Sequence, residues 1–280
     1  MSAAVLVLMA GGGALIGFLL AVLGAGGSIL LMPLLISGAG LPTREAVPLS
    51  LLAVTLLAVA NAGPYLRRRQ VAPRPALALG VPALAGSWIG GTLVKHGLIP
   101  EPVQLGVFAA AALVAAWLLS RRPTGTARAP RSAGPPLALA VQGVLVGLLT
   151  GIAGVGGGFA IVPALVLLAG LPMPLASGTS LVLIATNSLV ALGALGHWPA
   201  AALPLLAPLI GGGLVGAIGG QALAPRLSDR HLRQGFAALL VGSALLTGAE
   251  ALQRQRSSTV MRETTLRSAI PFTPDVSPQR

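Results

Sequence analysis

The chain has 280 residues, of which 18 are Lys or Arg and only 6 are Asp or Glu, for a formal net charge of +12; 55% are hydrophobic and none is cysteine. Charge so sparse, set among recurrent apolar runs of span length, excludes an ordinary soluble domain, which would leave most of that surface in water. Nucleic acid does not account for the positive charge, because the arginines sit between apolar runs or in the tail with no aromatic interleaving, and the lack of cysteine removes disulfides, thiolate metal sites and cysteine nucleophiles.

Eight apolar segments follow in order: Ala3–Ala39, Ala46–Pro64, Pro75–Val94, Val103–Leu119, Leu137–Ala169, Leu175–Leu195, Pro199–Leu223 and Leu232–Leu252. Most have the length of one membrane helix. The first carries no Lys or Arg before Arg44, so it lacks the basic region of a cleaved signal peptide and is expected to be retained as a span. Between the fourth and fifth segments, Ser120–Pro136 holds Arg121, Arg122, Arg128 and Arg131 among prolines and glycines and reads as a linker. Beyond Gln253 the chain is polar and rich in Pro, Ser and Thr, with too little hydrophobicity to bury anything, and a disordered tail is expected. The expected organisation is a first transmembrane repeat over 1–119, a basic cytoplasmic linker over 120–136, a second repeat over 137–252 and a tail over 253–280.

Basic residues set the expected orientation. With eight crossings, the loop Tyr65–Arg74, the central linker and the tail share one side and collect 13 of the 18 basic residues, so both termini are expected to be cytoplasmic in a bacterial inner membrane. One loop resists: Pro225–Arg233, with Arg226, Arg230 and Arg233, would lie outside.

Internal repetition is the most informative signal. Gly17–Leu51 aligns without gaps onto Gly147–Leu181 at an offset of 130, with 14 identities in 35 positions. Gly24, Gly26, Gly27 and Pro33 match Gly154, Gly156, Gly157 and Pro163, and Gly40-Leu41-Pro42 matches Gly170-Leu171-Pro172. The glycine runs interrupt the two segments too long for one span. As a single helix Ala3–Ala39 would run about 55 Å against a core of about 30 Å, so it must break, tilt or turn back. The expected fold is therefore an all-α polytopic membrane protein of about eight transmembrane helices, in two homologous four-span repeats with Gly-rich helix breaks in the first and fifth segments. Four crossings per half would leave the halves parallel, whereas an odd number would invert them.

Broken helices at matching places in two halves point to a transporter's binding site. A helix resuming after such a break presents free N–H groups and a positive dipole end to an anion. The candidate substrate-binding residues are Gly26, Gly27, Ser28 and Ser50 in the first half and Gly156, Gly157, Gly158, Thr179, Ser180, Asn187 and Ser188 in the second; Gly24, Pro33, Gly154 and Pro163 shape the breaks. Asn187 and Ser188 are the least expected inside an apolar span. The alternative is that the glycines serve close helix approach and the hydroxyls bond their own helices; for Gly212, Gly216 and Gly220, spaced by four, a packing face is expected.

The stretch Gly154-Val-Gly-Gly-Gly-Phe-Ala-Ile-Val-Pro163-Ala-Leu, followed by Gly170-Leu-Pro-Met, Ser177-Gly-Thr-Ser-Leu181 and Asn187-Ser188, resembles the signature of the sulfite exporter TauE/SafE family, with a degenerate copy in the first half. The resemblance covers Ala3–Leu252. It implies a bacterial inner-membrane protein of about eight spans that arose by duplication and moves sulfite, sulfoacetate or another organosulfur anion. Departures are Ser28 where the second repeat has Gly158, and Val47-Pro48 where it has Ser177-Gly178, so the first half is expected to bind less directly.

All six acidic residues, Glu45, Glu101, Asp229, Glu250, Glu263 and Asp275, lie at segment ends, in loops or in the tail, and no HExxH occurs. Ser180 has no expected His partner among His96, His197 and His231, so no enzyme, metal site or cofactor is expected. The functional expectation is export of a small anion. An uptake permease coupled to protons or sodium, or a membrane scaffold without transport, stands as the alternative.

Overall fold

The computed structural model describes residues 3–25, 27–99, 101–121, 136–153, 158–167, 169–196, 198 and 200–245; the linker 122–135, residues 26 and 154–157 of the glycine runs, and the tail lie outside the described residues. Among the described residues the protein is all helix and turn. In chain order α1 is Ala3–Leu23, α2 Gly27–Pro33 continuing as a π turn over Leu34–Gly38, α3 Thr43–Arg67, α4 Pro73–Lys95 and α5 Glu101–Arg121. Then come α6 Pro136–Ala153, α7 Gly158–Leu167, α8 Met173–Leu195, a 3-10 turn Ala200–Leu205 leading into α9 Leu206–Leu223, and α10 over 229–245. Among the described residues five helices are long and apolar enough to cross a membrane: Ala3–Leu23, Arg44–Arg67, Pro73–Leu93, Met173–Leu195 and Ala202–Arg226. Shorter apolar stretches lie over Ala109–Ser120 and Ala140–Leu149.

Side chains sort as a bilayer requires. Ser50, Asn61, Ser87, Ser177, Thr179, Ser180, Asn187, Ser188 and Ser243 are buried. The outward faces carry Val7, Leu77, Val81, Val114, Leu145, Val215 and Ile218, the first and last of these 72% exposed. Apolar side chains outside with hydroxyls and amides inside is the pattern of a bundle solvated by lipid.

The long first segment turns back. Gly24 adopts φ +78°, a conformation only glycine takes at no steric cost, and its N–H closes the last bond of α1 on the Leu20 carbonyl at 2.9 Å. Gly27 then lies against the Ile16 carbonyl, Leu34 covers Gly12, and Gly38 meets Leu8. As residue numbers rise along α2 they fall along α1, so the two form an antiparallel hairpin rather than a kinked rod. Pro33 sits inside this return arm, next to the π turn, and Pro163 sits inside α7 without ending it.

Each return arm ends in the same corner. Gly40 and Gly170 take φ +68° and +67°, and the N–H groups of Leu41 and Leu171 bond the carbonyls of Leu35 and Leu165, both at 3.1 Å, a helix stop with a glycine at positive φ whose closing bond spans one residue more than the usual six-to-one. Pro42 and Pro172, extended at ψ 147° and 150°, then open α3 and α8. The repeated Gly-Leu-Pro is thus a stop-and-restart signal.

Two close helix pairs join the halves. Along α9, Gly212, Gly216 and Gly220 lie against the carbonyls of Ala10, Ala14 and Phe18 of α1, forming the expected packing face. Along α6, Gly143, Gly147 and Gly151 lie against the carbonyls of Leu79, Ala83 and Ser87 of α4, where the Ser87 hydroxyl also donates to the Gly147 carbonyl at 3.1 Å. Numbers rise together in both pairs, so α1 runs parallel to α9 and α4 parallel to α6. The contacts are reciprocal at the sequence offset: Gly13 meets Leu209 and Gly143 meets Leu79, while Gly216 meets Ala14 and Gly86 meets Val144.

The loop that resisted the eight-crossing scheme is at the same end as the Tyr65–Arg74 loop, not opposite it. The first two turns of α8 bind both: the Ala72 N–H donates to the Thr179 hydroxyl at 2.9 Å, and the Met173 N–H donates to the Asp229 carboxylate at 2.7 Å. The scheme misplaced it by counting Leu137–Ala169 as one crossing: α6 runs away from this end parallel to α4, and α8 begins at this end again, so α7 returns between them.

Candidate functional site

The hairpin tip is held by the other half of the chain. Where α1 stops, the Leu23 and Gly24 carbonyls have no helical donor left to accept from. The Ser177 hydroxyl donates to Leu23 at 3.0 Å, and the Ser180 hydroxyl lies 2.9 Å from the Gly24 carbonyl and 2.8 Å from the Ser177 carbonyl. A Cβ on Gly24 would run into Ser177, so glycine is required there by contact as well as by conformation. From the side, the buried Tyr65 hydroxyl donates to the Ala21 carbonyl at 2.6 Å. Gly178 lies against the Gln70 carbonyl and the Tyr65 ring, which seats the α3–α4 turn on the start of α8.

These contacts divide the candidate residues. Ser180 and Thr179 are engaged: the first serves the tip, and the second accepts from Ala72 while donating to the Leu175 carbonyl at 2.6 Å. Ser50 donates to the Val47 carbonyl of its own helix at 2.7 Å. Gly27 makes the close approach of the hairpin arms rather than opening the backbone. Gly158 begins α7. Gly26, Gly154, Gly156 and Gly157 lie outside the described residues, as does the side chain of Ser28.

Asn187 and Ser188 differ from the rest. They are 2% and 0% exposed, on the inward face of α8, and among the described residues neither amide atom of Asn187 nor the Ser188 hydroxyl has a hydrogen-bond partner. A buried amide left unpaired costs about 1–3 kcal/mol per group, so two adjacent unpaired residues mark a place where a polar ligand or water is needed. Among the described residues no group of three or more His, Asp or Glu side chains comes together.

One polar pair, with Asn61 buried and Gln221 half-buried, went unnoticed in the sequence. The Asn61 amide of α3 donates to the Leu57 carbonyl at 2.9 Å, and its oxygen accepts from Gln221 of α9 at 3.2 Å, linking the two halves near the end that carries the tip. An amide within an apolar run was the same signal that singled out Asn187. Ser177 was likewise visible only as part of a motif; its partner is 154 residues away.

Residues 9–247 match the family described as sulfite exporter TauE/SafE. Two proteins named "Probable membrane transporter protein" from Xylella fastidiosa are similar to this chain: that of strain Temecula1 is 31% identical over 249 residues, covering 84% of this chain and 92% of the relative. That of strain 9a5c is 31% identical over 247 residues, with the same coverage. No solved structure matches. With the family match spanning the helical bundle, the chain belongs to the sulfite exporter TauE/SafE family.

Proposed function

We propose that this member of the sulfite exporter TauE/SafE family exports a small anion, sulfite, a sulfonate or a related organosulfur species, across the bacterial inner membrane. The observation that carries the site is the adjacent, buried and unpartnered Asn187 and Ser188 on α8. An Asn amide and a Ser hydroxyl supply donors to sulfonate or sulfite oxygens with no fixed positive charge, which suits a carrier that must also release its cargo. On this reading Gly26, Ser28, Gly156, Gly157 and Gly158 at the two breaks offer further donors to the same anion, whereas Gly27 closes the first hairpin against Ile16. Ser180 holds the first hairpin, Thr179 seats the α3–α4 turn and Ser50 bonds its own helix, so these hydroxyls are engaged rather than offered to substrate.

Two homologous halves underlie this arrangement. The matching Gly-Leu-Pro corners and the reciprocal glycine contacts at an offset of 130 support that reading. Helices corresponding at this offset run in opposite directions: α8 starts at the end where α3 finishes, and α4 starts where α9 finishes. Inverted halves allow one site to open alternately to either side by exchange of their conformations.

Export needs no coupling ion. An interior-negative potential drives an anion outward by about 2.3 kcal/mol per charge per 100 mV. Among the described residues no acidic side chain occupies the middle of a span; Glu45 is in the first turn of α3 and Glu101 begins α5. The test is flux from reconstituted vesicles loaded with sulfite, an alkylsulfonate, thiosulfate or sulfate, with the potential set by potassium and valinomycin. Flux of at least one anion is expected, faster when the loaded side is negative and persisting without a proton or sodium gradient. Folded protein that moves none of them would make it a scaffold, and efflux that stops when the proton gradient collapses at fixed potential would make it a coupled carrier.

A further inference from the structure

Each close glycine contact pairs a numbered residue on one helix with a numbered backbone group on another, and so gives the relative directions of the helices. The end of the bundle that holds the hairpin tip gathers the C-terminal ends of α1, α3 and α9 and the N-terminal ends of α4, α8 and α10. The links are Tyr65 to Ala21, Ala72 to Thr179, Gln221 to Asn61 and Met173 to Asp229. Since α6 runs parallel to α4, Pro136 begins at this end too. Because α5 starts a few residues beyond the far end of α4, a helix of its 21 residues has the length to carry Arg121 back to this end.

The basic residues sort accordingly. Arg67, Arg68, Arg69 and Arg74 flank the α3–α4 turn, Arg121, Arg122, Arg128 and Arg131 belong to the stretch anchored by Arg121 and Pro136, and Arg226, Arg230 and Arg233 lie between α9 and the first turns of α10. That is eight among the described residues at one end, and eleven with the three between Arg121 and Pro136 assigned to it. The other end, where α1 begins and α10 finishes, has Arg44 and Lys95 beside Glu45 and Glu101. Even with the five arginines after position 253 assigned to it, it holds seven.

We infer that the arginine-rich end faces the cytoplasm, and that the start of α1 and the segment following α10 lie on the outer side of the membrane. Lys and Arg in short loops are retained on the cytoplasmic side, and three such loops here act together, including the one that the eight-crossing scheme left outside. The hairpin is what reverses the assignment. An added return arm makes five passes in each half, so the central stretch and the tail exit on opposite sides instead of the same one. The cytoplasmic end then also carries the serine-held tip of the first hairpin, close to where an internal anion would enter through the field of the arginines.

The cysteine-free sequence permits a direct test with single-cysteine variants. Leu98→Cys, at a residue 67% exposed between α4 and α5, reports the far end, and Ser228→Cys, also exposed, reports the arginine-rich end. In right-side-out spheroplasts a membrane-impermeant maleimide should label the first at least ten-fold faster than the second, with the two equalised after lysis. Labelling of Ser228→Cys before lysis, alone or equally with Leu98→Cys, overturns the assignment. Should either variant fail to accumulate, fusions after Arg280 give an independent reading. An active alkaline phosphatase and a dark green fluorescent protein are expected, and the reverse pair overturns it. Neither readout depends on flux, so failure here is distinct from failure of the anion-export reading.

Discussion

Replacing Gly216 by alanine tests the central packing contact with the smallest possible change. A Cβ at 216 would be driven into the backbone carbonyl of Ala14, and a backbone group cannot rotate away as a flexible side chain can. The helices must separate by a large part of an ångström along a seam made of successive contacts of the same kind. Overpacking of this type costs about 1–3 kcal/mol, offset by about 0.5–1 kcal/mol from the better helix propensity of alanine. The net loss is on the order of 1–2 kcal/mol, or about 2–8 °C in melting temperature for a chain of this size. Gly219, one turn on and with nothing within 4 Å of its built Cβ, is the internal control. Gly219→Ala should be neutral or slightly stabilising. Thermal melting of detergent-solubilised protein by size-exclusion loss measures both, and Gly86→Ala, which meets Val144 in the reciprocal pair, should repeat the Gly216 result. Equal melting of Gly216→Ala and Gly219→Ala would refute the parallel α1–α9 register, and with it the helix directions drawn from that register.

Removing both tip hydroxyls, Ser177→Ala with Ser180→Ala, strands the Leu23 and Gly24 carbonyls, and a loss of about 1–3 kcal/mol per stranded group is expected in the same melting assay. Asn187→Leu should abolish anion flux in vesicles while leaving melting unchanged or raised, because the amide it removes has no partner. Asn61→Leu should lower melting, because it breaks the bond to Gln221. Deleting Ser257–Arg280 should leave folding and flux unchanged, as checked by yield and vesicle assay, since that polar stretch has no apolar face.

The span-length runs, the match of Gly17–Leu51 to Gly147–Leu181 and the glycine interruptions were legible because they are properties of composition and spacing. Gly212, Gly216 and Gly220 could be read as a packing face because four-residue spacing puts them on one side of a helix. What they pack against could not be read: Ala10, Ala14 and Phe18 lie about two hundred residues away. Hydropathy also could not separate a kink from a hairpin over Ala3–Ala39, because both bury the same residues. The repeated Gly-Leu-Pro was visible as a pattern, but only the positive φ of Gly40 and Gly170 gives it meaning. Serines 177 and 180 looked alike from sequence to Ser188, yet two serve carbonyls of α1 and one serves none. The difference lies wholly in which backbone groups the fold delivers to them.

The pairing of α1 with α9 sets an order on biogenesis. The glycine-lined groove that receives Ala10, Ala14 and Phe18 is synthesised about 200 residues after they are. At roughly 5–20 residues per second that interval is on the order of 10–40 s. Throughout it the first helix is held in the bilayer without its principal neighbour, and the hairpin tip waits for Ser177 and Ser180 before its carbonyls are satisfied. Assembly of the first half therefore finishes only with the second, and a chain severed in the stretch between Arg121 and Pro136 should mature only when both fragments are made together in one cell.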